Sequence, residues 1–144
     1  MAKGCLFCAI VAGEEPADLV IATGPVRAFL DHRPIFPGHV LVVPEGHVEH
    51  LNVAPDEVMD PLWHTVRAVS RVLMDELGAE GTFTATNTVI SQSVPHLHVH
   101  VVPRRRKDGL RGFFWPRRKY DSEEHMAEVA ETLRATIAEL QEAG

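Results

Sequence analysis

The apolar positions of this chain follow two periods. Residues 39–43 (His-Val-Leu-Val-Val), ended by Pro44, form the nearly continuous apolar run of a central strand covered on both faces. Residues 19–23 and 26–30 read as two shorter strands about Gly24-Pro25, a hairpin signal. Residues 82–86 are rich in β-branched residues. Between these runs the period changes. Val58, Leu62, Val66, Val69 and Leu73 recur at helical spacing over residues 54–77. Pro55 suits the first turn of that helix and Gly78 its stop; Pro61 predicts a first turn that is distorted or separate. Residues 5–12 form a short apolar helix closed by Gly13. Asp121-Ser122-Glu123-Glu124 opens a last helix with a capping residue and an acidic first turn, and Met126, Val129, Leu133, Ile137 and Leu140 are its expected buried stripe. One antiparallel sheet with two main helices is an α+β fold. With no repeat, low-complexity segment or linker, a single domain over residues 1–144 is expected.

The most informative stretch is His96-Leu97-His98-Val99-His100. In a strand, successive side chains point to opposite faces, so the three imidazoles are expected on one face and Leu97, Val99 and Val101 on the other. Side-by-side imidazoles are costly to desolvate, and a merely half-buried strand would carry Thr, Ser or Lys there. Two uses suit them: binding a metal, or supplying a nucleophile flanked by proton donors. Neutral imidazole attacks phosphorus readily, splitting one displacement into two. His98, with a neighbour on each side, is the better nucleophile candidate. Asn87, Gln92 and Ser93 offer amide and hydroxyl donors just before the strand, and His39 could orient the triad.

Composition narrows the field little: 45% apolar and 24% charged residues describe an ordinary globular chain. No run approaches the roughly 20 apolar residues of a bilayer span, so no membrane association is expected. The first residues carry neither an apolar stretch nor a small-residue cleavage site, so no signal peptide is expected and the expected compartment is cytoplasmic. A net charge of -6 argues against nucleic acid as a bulk partner. Yet eight of the fourteen Lys and Arg residues fall between Arg104 and Lys119. They form either a solvated loop or a positive rim that draws a polyanion to the histidines. Within that segment Phe113, Phe114 and Trp115 must be covered by something, whether the chain's own core, a partner subunit or a substrate. The expectation is a place at a dimer interface, with some of Arg111, Arg117 and Arg118 near a substrate's phosphates. Cys5 and Cys8 form a C-x-x-C pair at the very start of the chain, where a redox role fits poorly. They are either buried thiols or half of a zinc site needing two more ligands.

The run Q-S-V-P-H-L-H-V-H-V-V-P-R resembles the signature of the histidine triad (HIT) superfamily. C-L-F-C-A-I-V-A-G-E-E-P-A, A-F-L-D and P-G-H-V-L-V-V-P-E-G-H resemble that superfamily's earlier segments, so the likeness covers about residues 5–105. The resemblance implies a homodimer whose two five-stranded halves join in a ten-stranded sheet. It implies a nucleotide hydrolase or transferase that forms a nucleotidyl-histidine at the α-phosphate of a nucleoside phosphoramidate or dinucleoside polyphosphate. Carried over by position, His98 is the nucleophile, His100 contacts the phosphate, and His39 supports the triad. Asp31 holds ribose hydroxyls, while Asn87, Gln92 and Ser93 form the phosphate and leaving-group loop. In a subset of the superfamily the C-x-x-C binds structural zinc with two histidines. Here those are Cys5, Cys8, His47 and His96, with His50 an alternative to His47. The loop from Asn87 to Gln92 departs from the superfamily pattern, being two residues shorter and without glycine, so a different backbone path is expected. Two rival readings are a nucleotide-binding or scaffolding protein with little turnover, and a metalloenzyme whose three triad histidines hold a catalytic zinc.

Overall fold

Strand β3 (Val40–Pro44) is buried along its whole length because it lies at the centre of the sheet, as its unbroken apolar run requires. The computed structural model describes residues 2–111 and 116–144, which divide into two compact units, Met1–Asp108 and Gly109–Gly144. In the first unit β1 (Leu19–Ile21) and β2 (Val26–Leu30) form the expected hairpin. β4 (Gly81–Ala85) and β5 (Val99–Arg104) complete an antiparallel sheet of order β1-β2-β3-β5-β4.

Period-2 alternation sorts the side chains into two cores. Val26, Ala28, Val40, Val42, Val99 and Val101 pack with Leu62, Val66, Val69 and Leu73 of α2 (Asp56–Leu77). Phe29, Leu41 and Val43 face the other way, onto Cys5, Phe7, Cys8 and Ile10 of the short α1 (Leu6–Val11) and its cap. Leu62 and Val42 are fully buried, and each such side chain contributes about 1.5–3 kcal/mol by leaving water.

Two sequence expectations are corrected in this unit. Pro61 neither distorts nor separates the first turn of α2, which runs unbroken from Asp56 with Pro55 as its N-cap. The hydrogen bond that Pro61 cannot donate would have gone to Glu57 in the exposed first turn, a place open to solvent. The histidine segment is also only partly a strand: β5 starts at Val99, so His100 alone of the three imidazoles lies in the ladder. The register with β3 ends at Val42↔Val99, and Leu97 N–H bonds instead to Val48 O at 2.6 Å. The facing survives, since Leu97 joins the α2 core while His96 and His98 lie against Phe7.

The segment from Arg104 to Asp108 is an internal brace. Arg104 pairs with Asp108 at 2.5 Å. The Arg105 guanidinium donates to the Leu77 and Gly78 carbonyls at the end of α2, satisfying groups that a helix C-terminus leaves open. Arg106 lies 3.5 Å from Glu80. Arg111, Arg117 and Arg118 of the second unit are exposed; Phe113, Phe114 and Trp115 lie outside the described residues.

In the second unit α3 (Glu123–Ala143) begins as expected, with Ser122 Oγ accepting from His125 N–H at 3.0 Å. Its expected buried stripe is not buried there. Met126, Leu133, Ile137 and Leu140 are exposed, and only Val129 is half-covered. Helical periodicity identifies an apolar face; it does not supply an element to cover that face.

Candidate active site

The two ends of the histidine motif reach the site by different routes. His100 is carried by β5. His39 enters from the loop before β3, where Gly38 takes φ +99°. A Cβ on Gly38 would lie 3.0 Å from Leu77 Cδ1 and 3.4 Å from Pro103 Cγ, so only glycine lets this loop pass so near the end of α2.

Fixed backbone partners set the protonation pattern of four rings. Ile35 N–H donates to His39 Nδ1 at 3.1 Å, so neutral His39 carries its proton on Nε2. That nitrogen lies 2.9 Å from His100 Nδ1, which accepts, leaving the His100 proton on Nε2. His98 Nδ1 lies 2.7 Å from His96 O; a carbonyl only accepts, so His98 Nδ1 donates and its Nε2 keeps a lone pair. His96 Nε2 donates to Pro44 O at 3.0 Å, leaving its Nδ1 lone pair towards Cys5 and Cys8.

Burial keeps all four rings neutral. It pushes His96 and His100 down to about 4, with neighbouring imidazoles adding to the effect. His98 and His39 also fall below the ordinary histidine value through burial. The Asp31 carboxylate, 3.8 Å from His39 Nε2, partly offsets this for His39, His98 and His100.

Asp31, Ser93, His98 and His100 line one cleft of about 1150 Å³. Phe7, Ile10, Phe29 and Leu41 supply its apolar wall, which sequence reading did not single out. The signal was present: Phe29 and Leu41 alternate with the residues that face α2, and Phe7 stands between the two cysteines. Asn87 and Gln92 are not among the cleft's lining residues. Asn87 Nδ2 donates to Ser91 O at 3.0 Å, Gln92 Oε1 accepts from Val89 N–H at 3.1 Å, and Gln92 Nε2 donates to Glu49 O at 2.6 Å. These amides brace the glycine-free loop, in which Val89 and Ser91 adopt φ +67° and +61°. A left-handed β-branched residue is a strained conformation that its surroundings must hold.

On the other side of His96 lie Cys5, Cys8 and His47, with ligand atoms of all four residues within 4.8 Å of one another. His96 Nδ1 is 3.5 Å from both sulfurs, and His47 Nδ1 is 3.4 Å from Cys8 Sγ. Zinc bond lengths of about 2.3 Å to sulfur and 2.0–2.1 Å to nitrogen give tetrahedral edges of roughly 3.5 Å, so the donors fit that ion. Two buried cysteines facing the His96 Nδ1 lone pair, with His47 Nδ1 beside Cys8, are also a costly arrangement without a cation, and burial pushes the Cys8 thiol up. His47, not His50, supplies the fourth donor. In a second cluster, Asp31, His39 and His100, the two imidazoles are hydrogen-bonded to each other with the Asp31 carboxylate alongside, and Ile35 N–H keeps the proton on the His39 nitrogen that a metal would need. Neither cluster unites His96, His98 and His100, which disfavours a catalytic metal held by three triad histidines.

The HIT domain profile matches residues 12–107. The chain belongs to the HIT domain family. It is 30% identical over 142 residues to an adenosine 5'-monophosphoramidase of Candida albicans, covering 94% of this chain and 93% of that one. In structure it is similar to a HIT family member from Bacillus subtilis (TM-score 0.83, 33% identity, 92% and 96% of the two chains covered). It is also similar to a Zn-bound histidine triad family protein from Mycobacterium smegmatis (TM-score 0.71, 35% identity, 98% of each chain covered). The sheet and helices of this HIT domain are thus the family fold, and among its described residues no helix is long and apolar enough to cross a membrane.

The depressed histidines make stability depend on acid. A folded His100 held down to about 4 refuses a proton that the unfolded chain accepts below its ordinary 6.5. Unfolding free energy should therefore fall as pH drops from 6.5 towards 4, and gain nothing from this group above 6.5. Urea midpoints between pH 7 and 5 measure the slope, and His100→Gln should flatten it. An unaltered slope in that variant would show that His100 is not the group responsible.

Proposed function

We propose that this HIT domain is a nucleotide hydrolase or nucleotidyl transferase. Its substrate is a nucleoside phosphoramidate or a dinucleoside polyphosphate, attacked at the α-phosphate. The observation that carries the reading is the fixed tautomer of His98: with Nδ1–H held by His96 O, the Nε2 lone pair belongs to a residue that lines the cleft with Asp31, Ser93 and His100. The adenosine 5'-monophosphoramidases among its relatives support the substrate class.

In this reading the apolar wall of Phe7, Ile10, Phe29 and Leu41 takes the nucleoside, and Asp31 accepts from ribose hydroxyls. His98 Nε2 attacks phosphorus, forming a P–N bond as the bond to the leaving group breaks. The His100 Nε2–H, made a donor by the relay from His39, stabilises a non-bridging oxygen. Ser93 Oγ hands its hydroxyl proton to the leaving amine and recovers one from the water or other acceptor that attacks next, whereas a leaving phosphate departs as the anion. Water or another acceptor then takes the nucleotidyl group and restores neutral His98. Asn87 and Gln92 act through the backbone they brace, by placing Ser93. Zinc, bound by Cys5, Cys8, His47 and His96, has a structural role: it ties α1 to the segment that carries His98, and takes His96 out of proton chemistry. The M. smegmatis relative supports this metal.

The protein is proposed to act as a homodimer in the cytoplasm. β4 is an edge strand of sequence Gly-Thr-Phe-Thr-Ala, without charge or proline, and so lacks the devices that deter edge pairing. The neighbouring face of α2, tied to β4 by the 2.6 Å bond between Ser70 and Thr82, exposes Met74 and Leu77. A second copy pairing β4 with β4 gives a ten-stranded sheet.

Replacing His98 by Ala should lower kcat for adenosine phosphoramidate by roughly a thousandfold or more while nucleotide still binds. Rapid quenching of the native protein with labelled substrate should trap label on this histidine; more than about a tenth of the activity surviving in the variant would remove His98 from the role. Protein purified without added metal should contain one zinc per chain by elemental analysis, and Cys5→Ser should lose it with a fall in melting temperature. A metal-free, fully reduced native preparation of normal stability would refute the zinc assignment. Light scattering should give twice the chain mass, and Thr84→Lys, which sets like charges near each other at the paired edge, should shift the protein towards the single-chain mass. A dimer indifferent to that substitution must use another surface.

A further inference from the structure

Phe7 touches both a member of the metal-ligand cluster, His96, and the nucleophile His98. It lies between Cys5 and Cys8 on α1, is 6% exposed, and lines the cleft. Its ring meets His98 edge to face at 5.1 Å and 85°, His96 at 6.0 Å and 67°, and Phe29 at 5.4 Å and 68°. We propose that Phe7 is a positioning residue that transmits the order of the Cys5/Cys8/His47/His96 cluster to the His98 ring. The proposal rests on the reading of His98 as the nucleophile.

Two observations carry it. The first concerns what holds α1. The helix has six residues, too few to persist by its own hydrogen bonds. Its fixed points are the buried sulfurs facing His96 and His47 and the burial of Phe7 and Ile10. Losing the cluster therefore loosens the helix that presents Phe7, leaving only its apolar packing to hold it. The second concerns what holds His98. Its ring has one hydrogen bond, to His96 O, and two ring neighbours, Phe7 and His100. The ring of Phe7 fills the space into which the imidazole would otherwise swing. It also keeps water from competing for the Nδ1 proton, so its loss lets the tautomer and the direction of Nε2 vary. A flat aromatic edge does this, whereas an aliphatic side chain of similar bulk fills the wall without matching the ring face.

The test compares Phe7→Leu, Cys8→Ser and the double variant, using zinc-loaded native protein as reference and adenosine phosphoramidate as substrate. Each single change should lower kcat by about tenfold, the order supplied by one aromatic pair. AMP binding measured by calorimetry should stay within about threefold in Phe7→Leu. The double variant should be no slower than Cys8→Ser, since both changes break one connection. Nitrogen-15 spectra of the histidine rings should show His98 protonated only on Nδ1 in the native protein, and a mixture of tautomers in both single variants. Phe7→Tyr, which keeps the ring edge, should retain more of kcat than Phe7→Leu and keep His98 protonated only on Nδ1. Multiplying losses in the double variant would overturn the proposal, as would Phe7→Leu weakening AMP binding with kcat and the His98 tautomer unaltered, which leaves Phe7 as cleft wall only. Were His98→Ala to stay active, the catalytic reading would fail, while the ring spectra and the Cys8→Ser comparison would still judge the coupling.

Discussion

The hydrogen bond from His98 Nδ1 to the carbonyl of His96 is the constraint on which the site depends. A histidine ring has two nitrogens that trade roles freely in water, and a nucleophile needs one of them bare at a known place. Here the main chain makes the choice. The same device recurs at two nearby rings: Pro44 O accepts from His96 Nε2–H, and Ile35 N–H donates to His39 Nδ1, which in turn fixes His100. Main-chain groups are strong partners held by the fold itself, so the tautomers are as rigid as the sheet. Burial removes the remaining freedom by keeping the rings uncharged.

The sheet's two faces then have different tasks. The α2 face is a plain hydrocarbon core of alternating valines. The α1 face is thinner, and Phe7, Phe29 and Leu41 serve there both as core and as the wall of the cleft. A chain of this size has little spare surface for a separate binding domain, and uses the less covered face of its sheet for chemistry.

Much of this was legible in the sequence because periodicity reports directly on facing. The unbroken run at residues 40–44 marked the central strand, the i, i+3, i+4 spacing marked α2, and the H-φ-H-φ-H alternation separated the imidazoles from Leu97, Val99 and Val101. The C-x-x-C spacing and two later histidines likewise met in one cluster. What periodicity does not encode is partner choice. It gave no sign that Asn87 and Gln92 would spend their amides on their own loop, or that Arg105 would cap α2 rather than face a ligand. It marked the apolar stripe of α3 without saying what covers it. The strand of histidines began three residues late for a similar reason: ladder pairing depends on where the neighbouring strand ends.

The loop from Asn87 to Gln92 divides the site into parts with unequal freedom to change. Its two left-handed non-glycine residues are held by side-chain amides, by the turn bonds from Ile90 N–H to Thr88 O and from Gln92 N–H to Val89 O, and by one reach to Glu49 O, and it exposes Val89 and Ile90. None of its described residues belongs to the hydrocarbon core, whereas His96 and His98 are fixed by main-chain carbonyls and His100 by the buried His39. Substitutions in this loop therefore alter the surroundings of Ser93 at small cost to folding. It is the region where a descendant of this chain could acquire a different substrate range while keeping its nucleophile.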